Sequence, residues 1–175
     1  MVNSKAATVA VTEAQVWNWL ADVSDPEVPV LSVLDLGIVR AVRLDAASSH
    51  LTIVITPTYS GCPAMDVIGT EIRLRLAAEG IGPQQLTLEN QLSPAWTTDW
   101  LSAEGRRKLT AYGIAPPAEQ AAGRVRALFG ESPVVQCPHC GSNQTQLLSQ
   151  FGSTACKALY QCQDCREPFD YFKCH

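Results

Sequence analysis

The sequence predicts an α+β fold in two parts: a small helix-strand-strand-helix-strand sandwich, followed by a cysteine-rich C-terminal module. Along the first half of the chain, the apolar residues alternate between helical and strand-like spacing. Six of the seven cysteines lie between Cys137 and Cys174, and the seventh, Cys62, stands alone. With 175 residues, 46% of them hydrophobic, the chain is long enough for one packed core and a small appendage.

The predicted sandwich begins with a helix near Thr12. Thr12 and Gln15 have the spacing of a capping box, and an apolar stripe follows them. We expect this helix to run up to Asp25-Pro26-Glu27, because the residue before a proline resists helical geometry. Alternating apolar residues then predict strands at 38–44 and 51–56, joined by a turn.

Three further helices and one strand are predicted after Cys62. Pro63 fits the first turn of a helix that Gly80 ends, with a buried face formed by Met65, Ile68, Ile72 and Leu76. A third strand is predicted at 86–92, and weaker helices at 102–112 and 117–129. The chain therefore divides into an α+β domain at 12–92, an extension at 93–130 and a cysteine-rich tail at 134–175.

Charge and hydropathy exclude several classes of protein. The net charge is −4, and the tail carries three basic and three acidic side chains, which disfavours nucleic-acid binding. No run is apolar enough to cross a bilayer, and the N-terminal apolar stretch is too short for a signal peptide. We therefore expect a cytoplasmic protein with no membrane association, in which thiols stay reduced.

The tail contains two Cys-x-x-Cys turns, separated by 21 residues. Each turn aims two thiolates at one point, and two turns at hairpin tips complete the tetrahedron that Zn²⁺ prefers over other geometries. Gly141 allows the tight backbone of the first turn. A closed four-thiolate site leaves no position for substrate, so the metal should fold the tail. We predict a structural zinc ribbon, with zinc preferred over iron, held by Cys137, Cys140, Cys162 and Cys165.

Two tail cysteines, Cys156 and Cys174, have no paired spacing. The simplest interpretation is a buried apolar side chain or support for the metal ligands. The alternatives are that one of them replaces a knuckle ligand, or that they support a second, labile site. His139 and His175 could also ligate, although His139 lies inside a knuckle and is expected to be solvated.

Cys62 follows the loop 57–61 and precedes a helix N-terminus. The helix dipole and free amides there stabilise an anion, which favours an accessible thiolate. Two interpretations stay equally open: a reactive or metal-ligating thiol, and a small apolar side chain at a helix–sheet junction. None of the three histidines is placed as a base for Cys62, and no Cys-x-x-Cys motif includes it. No catalytic residue is predicted.

Two other groups of residues have a plain structural explanation beside a functional one. Asp25, Glu27 and Asp35 lie near element ends, where a solvated cap is the usual case. Trp96 and Trp100 follow the third strand, where they could cover the edge of the core or form a docking surface.

Three ordered motifs within residues 12–92 resemble the small domain of iron–sulphur assembly factors of the cytosolic-targeting and Suf-associated type. The segment 93–100, the run 105–109 and the tail narrow the resemblance to the PaaD family, accessory proteins of the bacterial phenylacetyl-CoA epoxidase in phenylacetate breakdown. The three motifs are Asp25-Pro26-Glu27, Asp35-Leu36-Gly37-Ile38-Val39 and residues 56–63, Thr-Pro-Thr-Tyr-Ser-Gly-Cys-Pro.

The resemblance implies an accessory factor and not an enzyme. Such a factor would help mature or repair the [2Fe-2S] cluster of the reductase subunit or the di-iron centre of the oxygenase. Cys62 would be the functional thiol, holding iron or a [2Fe-2S] cluster transiently or relaying sulphur, with Asp25 and Glu27 supporting it. Because such clusters generally take four protein ligands, a homodimer or the client would supply the others.

Three other functions compete with this one. A structural docking subunit of the oxygenase would use the ribbon as its docking arm and leave Cys62 silent. A nucleic-acid-binding zinc protein is disfavoured by the negative net charge. A thiol enzyme acting on CoA thioesters would need a base beside Cys62, and the sequence offers no clear candidate.

Overall fold

The computed structural model describes residues 11–45, 47–59, 61–117 and 134–173. The predicted helix at 117–129 falls outside these ranges apart from Pro117, and so do Cys174 and His175. The described residues form two sheets, each beside its own apolar cluster. None of the described helices is both long and apolar enough to cross a membrane.

The first sheet and its helices follow the predicted order of helix, strand, strand, helix and strand. Strand β2 lies in the centre, antiparallel to β1 and parallel to β3. The parallel pair requires a crossover, which α2 provides. The elements are α1 (Glu13–Leu20), β1 (Val39–Asp45), β2 (His50–Ile55), α2 (Ala64–Ala78) and β3 (Leu86–Asn90), with a 3₁₀ turn at Pro83–Gln85.

Helix α1 begins as predicted but ends early. The capping box is present: Gln15 N donates to Thr12 Oγ1 at 3.3 Å, and Thr12 N donates to Gln15 Oε1 at 2.9 Å. The helix ends at Leu20, so the expectation that it continues to Asp25-Pro26 is wrong. The segment after it folds on itself instead: Asp25 N donates to Leu31 O at 2.8 Å and Val33 N donates to Val23 O at 2.9 Å, so residues 22–37 form a loop. We call this segment the acidic loop.

Helix α2 presents its apolar face to the sheet. Ile68, Ile72 and Leu76 are buried there, whereas Met65 is only half-buried. Pro63 is the N-cap residue, one position before the predicted one, and Gly80 follows the C-cap with φ of +88°. Glycine adopts this left-handed backbone without a steric cost because it has no Cβ, which explains why glycine stands at this position.

The two tryptophans after β3 close the edge of the sandwich. Trp96 is buried, and its Nε1 donates to Leu36 O at 2.8 Å. Trp100 lies in a 3₁₀ turn (Thr98–Trp100) with the Arg40 guanidinium 3.5 Å from its ring centroid. A Cβ on Gly37 would lie 2.3 Å from Trp100 O, so this contact requires glycine. Both tryptophans therefore cover the core and do not form an open surface.

Helix α3 (Ala103–Ala111) is anchored to the acidic loop by Asp35. Lys108 Nζ lies 2.6 Å from Asp35 Oδ2, and Ser102, the N-cap residue, donates to Asp35 Oδ1 at 3.1 Å. Asp35 is 7% exposed, so its interpretation as a solvated cap is wrong. The carboxylate is buried because it joins two segments 67 residues apart.

The second sheet contains the tail. Its order is β4-β7-β6-β5, with β4 parallel to β7 and the other neighbours antiparallel. Strand β4 directly follows α3 in the chain and pairs with β7, so this sheet connects the tail to the segment that contains α3. The strands are β4 (Ile114–Ala115), β5 (Thr145–Ser149), β6 (Lys157–Cys162) and β7 (Pro168–Phe172). The α+β fold class with a C-terminal ribbon is confirmed.

Candidate functional site

The four paired cysteines of the tail converge on one point. Their Sγ atoms all lie within 4.8 Å of one another, with Cys137 to Cys165 at 3.7 Å and Cys140 to Cys162 at 3.5 Å. Four thiolates around Zn²⁺, with Zn–S bonds of about 2.3 Å, have S···S edges of about 3.8 Å. The donor set therefore fits a structural metal such as zinc, which would cross-link the two knuckles.

Both knuckles use a left-handed residue to turn the backbone. Gly141, with φ of +76°, donates its amide to Cys137 O at 2.9 Å. Arg166, with φ of +67°, donates in the same way to Cys162 O at 3.1 Å. Amides within the second knuckle, those of Cys165 and then Asp164, lower the pKa of Cys162 to about 7. These amides thus favour a thiolate at Cys162, whereas the pKa values of Cys140 and Cys165 in the same cluster are raised.

The aromatic residues of the tail pack beneath this cluster. The ring of Tyr160 stacks on Phe169 at 6.0 Å between centroids and meets Tyr171 edge-on at 5.6 Å. All three are buried, so these aromatics form the ribbon's core and are not available for docking. His139 lies at the surface of its knuckle, with its ring edge-on to Phe169.

Cys62 lies in a different setting, at the start of α2. Its amide donates to Tyr59 O at 3.2 Å, and its carbonyl accepts from Met65 N at 3.2 Å, which fixes the cysteine on the first turn. The residue is half-buried and packs against the sandwich core. Among the described residues, no atom lies within 4 Å of a Cβ built on Gly61, whose φ is +78°, so the backbone just before Cys62 is uncrowded.

The acidic loop contains Asp25 and Glu27, the two carboxylates predicted to support Cys62. Asp25 is 9% exposed, so its interpretation as a solvated cap is wrong. Its Oδ1 accepts from Val28 N at 2.7 Å and Glu27 N at 2.9 Å, which fixes the backbone of Glu27. Burial raises the pKa of Asp25, although these two amides oppose the shift.

Comparisons with known proteins agree with both halves of this description. A family model described as an iron-sulfur cluster assembly protein matches residues 13–79, and one described as the PaaD zinc beta ribbon domain matches residues 121–173. A protein of Escherichia coli K12, whose name assigns it provisionally to 1,2-phenylacetyl-CoA epoxidase as one of its subunits, is 47% identical over 97% of this chain and 98% of its own. The chain belongs to the PaaD family.

Two further relatives match the sandwich of this PaaD-family chain. A protein of Porphyromonas gingivalis W83, named an Fe-S protein maturation auxiliary factor, is 32% identical over 56% of this chain and 90% of its own. The crystal structure of a domain of unknown function, DUF59, from Bacillus anthracis superposes with a TM-score of 0.51 at 24% identity. It covers 55% of this chain and 90% of the other, and it supports the fold alone.

The structure also brings together residues that the sequence left apart. Cys156 Sγ donates to Glu27 Oε2 at 3.3 Å, across 129 positions of sequence. Cys156 is buried, and it belongs to the apolar cluster of the sandwich and not to that of the ribbon. Cysteine spacing could not reveal this contact, because Cys156 belongs to the tail and Glu27 to the sandwich. Cys156 is therefore a further candidate site residue in this PaaD-family chain.

Proposed function

We propose that this chain is a non-catalytic accessory factor of a phenylacetyl-CoA epoxidase, and that it assists assembly of an iron–sulphur cluster or a di-iron centre in that system. The observation that carries the proposal is the Cys62 turn: a half-buried thiol at a helix N-terminus, directly after a glycine with no described atom crowding its Cβ position. The names of the two curated relatives supply the system and the kind of task.

In this proposal, Cys62 is the functional thiol of the 12–92 domain. It holds iron or a [2Fe-2S] cluster in transit or relays sulphur, with the iron–sulphur reductase subunit as the client. Glu27 and Asp25 support the thiol, Asp25 through the amide of Glu27. Because a cluster generally takes four protein ligands, the client or a second copy of the chain supplies the remaining ones.

The tail at 134–175 has a separate role in the proposal. Zinc held by Cys137, Cys140, Cys162 and Cys165 folds the ribbon, and the extension at 93–130 joins it to the sandwich. Four thiolates complete the tetrahedron, so the ribbon metal takes no part in the transfer.

The test is reconstitution of the apo-reductase with iron and sulphide, in the presence of the full chain. We expect Cys62→Ser to restore at least tenfold less [2Fe-2S] absorbance in a fixed time than the unmutated chain, because a hydroxyl is a poor ligand for iron. Thr70→Ala, on an exposed position of the same helix, is the matched control and should act as the unmutated chain does. Full restoration by Cys62→Ser would exclude this role for the thiol.

A second candidate is a structural docking subunit of the oxygenase in which Cys62 is silent. The observation that favours it is the edge strand β5, where Leu147 and Leu148 are 43% and 50% exposed, followed by Phe151 at 66%. Exposed apolar side chains of this size mark many protein contacts. This alternative predicts a stable complex of fixed stoichiometry in size-exclusion chromatography with light scattering, which Leu148→Lys should break and Cys62→Ser should not.

A further inference from the structure

Strand β6 runs from the metal site of the ribbon to the sandwich. Its last residue, Cys162, is one of the four converging cysteines and is buried in the ribbon's core. Cys156, which directly precedes the strand, belongs instead to the buried cluster of the sandwich. At about 3.3 Å of rise per residue, the six residues of this strand span roughly 20 Å. One strand therefore has a metal ligand at one end and a contact with the sandwich at the other.

The ribbon holds β6 along its whole length. The strand lies between β5 and β7 and is antiparallel to both. Beside its start, Lys173 N donates to Cys156 O at 2.9 Å, and Lys157 Nζ lies 3.5 Å from Asp170 Oδ2 on β7. Rigid elements of this kind carry coupling between distant sites. The sheet that brings the metal ligands together thus also sets the position of Cys156.

On the sandwich side, the Cys156 thiol contacts the acidic loop. Cys156 Sγ donates to Glu27 Oε2 at 3.3 Å and lies 3.0 Å from Thr154 Oγ1. Burial raises the pKa of this thiol, which keeps it protonated and able to donate. Because Cys156 is buried and Glu27 half-buried, the hydrogen bond lies where the local dielectric constant is low and its contribution is large.

The acidic loop contains neither a helix nor a named strand, although all of its residues are described. Asp25 closes it twice, through its amide to Leu31 O at 2.8 Å and through Oδ1, which accepts from the amides of Glu27 and Val28. Glu27 is therefore held by its backbone to Asp25 and by its carboxylate to Cys156. Irregular segments generally open locally at low free energy, so one further hydrogen bond changes how often such a loop opens.

We propose that the ribbon fixes the acidic loop, and that zinc binding at the knuckles is coupled to closure of this loop through β6 and the Cys156–Glu27 hydrogen bond. In this mechanism, the contact forms only while zinc keeps the ribbon folded. By linkage, zinc protects the loop by the same factor by which the closed loop strengthens zinc binding. This coupling goes beyond the proposed function, because it holds whichever metallocentre the chain serves.

The test is hydrogen exchange by mass spectrometry on the full chain, with and without zinc. We expect zinc removal to accelerate exchange in residues 22–37 on the order of tenfold, typical of the loss of a hydrogen bond to a charged group, while β1 and β2 stay protected. With zinc bound, Glu27→Ala should accelerate the same peptides to a similar extent. It should also weaken zinc binding by a similar factor, measured by competition with a chromophoric chelator. Zinc removal from this variant should add no further acceleration in the loop.

Three further variants separate the hydrogen bond from charge and from general destabilisation. Cys156→Ala should reproduce Glu27→Ala, and the double variant should be no worse than either single one, because both remove one shared interaction. Glu27→Gln keeps an acceptor for the thiol, and we expect it to retain most of the coupling. Glu71→Ala removes the same charge from an exposed position of α2, and it should leave zinc affinity and loop exchange unchanged.

Three outcomes would overturn the proposed coupling. Unchanged exchange of the loop after zinc removal would show that the ribbon does not fix it. Loss of protection in β1 and β2 together with the loop would show that zinc stabilises the whole sandwich. Full acceleration by zinc removal in Glu27→Ala, with unchanged zinc affinity, would show that the coupling does not pass through Glu27. None of these measurements involves cluster restoration, so the Cys62→Ser test decides the proposed function separately.

Discussion

The two halves of this molecule use cysteine in opposite ways. In the ribbon, four thiols face one another within 4.8 Å, and the small core around them contains two of these cysteines as buried members, Cys137 and Cys162. In the sandwich, none of the largest fully buried side chains is a cysteine, and the core is built from Leu, Ile and Val on α1, α2 and the sheet. We therefore expect the ribbon to depend on its sulphurs for folding and the sandwich to fold without them.

This difference indicates where exchange chemistry can take place. A thiol that holds a domain together cannot release its metal without unfolding that domain. In the proposed function, Cys62 must gain and lose a ligand while the sandwich around it stays folded. Cys156 belongs partly to each half: a strand of the ribbon holds its backbone, and the core of the sandwich buries its side chain.

Removal of the ribbon metal should have the largest effect. Structural zinc contributes about 10–16 kcal/mol of apparent binding free energy in small zinc-dependent folds, so Cys137→Ala should abolish zinc binding and unfold β5, β6 and β7. Hydrogen exchange measured by mass spectrometry should show loss of protection in these strands, with β1 and β2 still protected. Cys62→Ala is the control and should keep both its zinc and its protection.

Two other results would show that the ribbon and the sandwich do not differ in their dependence on zinc. If the strands of the ribbon stayed protected in Cys137→Ala without zinc, the aromatic core of Tyr160 and its neighbours would be sufficient for folding. If β1 and β2 also lost protection, the sandwich would depend on the ribbon, and Cys62 would no longer lie in an independent fold.

The second effect concerns the reactivity of Cys156. Burial raises the pKa of the Cys156 thiol to about 11; the contact with Thr154 opposes this shift, and the hydrogen bond to Glu27 adds to it. Since only the thiolate is alkylated, iodoacetamide at pH 7.5 should modify Cys156 on the order of 100-fold more slowly than a free cysteine with a pKa of about 8.5. The rate should rise about tenfold per pH unit as far as the protein stays folded.

Peptide mass spectrometry after timed alkylation gives this rate, with Cys62 in the same sample as an internal reference. Zinc removal should accelerate modification of Cys156, because the strands that bury it unfold. A rate for Cys156 equal to that of a free thiol in the zinc-loaded chain would contradict its burial against Glu27.

Local patterns predicted most of the sandwich, because its elements are determined by neighbours in sequence. The capping box at Thr12, the apolar face of α2 and the glycine after it each depend on residues within a turn or two. The knuckles are equally local, since each is a single Cys-x-x-Cys turn. Spacing alone therefore predicted which four cysteines converge.

The errors concern contacts that no helical or strand period encodes, some within one irregular loop and some between distant segments. Helix α1 ends before Asp25-Pro26 because the acidic loop closes on itself through Asp25 and Leu31. Asp35 is buried because of Lys108, and Cys156 meets Glu27 only after the ribbon folds onto the sandwich. No helical or strand period links such residues, so the tertiary fold is needed to see them.

The smallest effect that we predict separates the two buried carboxylates of the acidic loop. Burial alone would raise the pKa of Asp35, but the Lys108 ammonium and the Ser32 amide and hydroxyl outweigh it and lower the pKa. Asp35→Asn loses this ion pair, and we expect a loss of about 2 kcal/mol in the free energy of unfolding at pH 7, typical of hydrogen bonds to a charged group. Asp25 has no such lysine contact at hydrogen-bond distance among the described residues, so its ionisation should not stabilise the fold.

The pH dependence of stability makes the contrast between Asp35 and Asp25 measurable without substitution of Cys62 or Cys156. A carboxylate with a lowered folded-state pKa stabilises the fold above its unfolded pKa of about 3.9, and the contribution is lost as the pH falls through the folded value. Urea unfolding should therefore show the difference between Asp35→Asn and the unmutated chain shrinking below about pH 4, since protonated Asp35 no longer pairs with Lys108. Lys108→Met should give the same profile. A difference that stayed constant from pH 7 to pH 3 would assign the effect of Asp35→Asn to packing and not to charge.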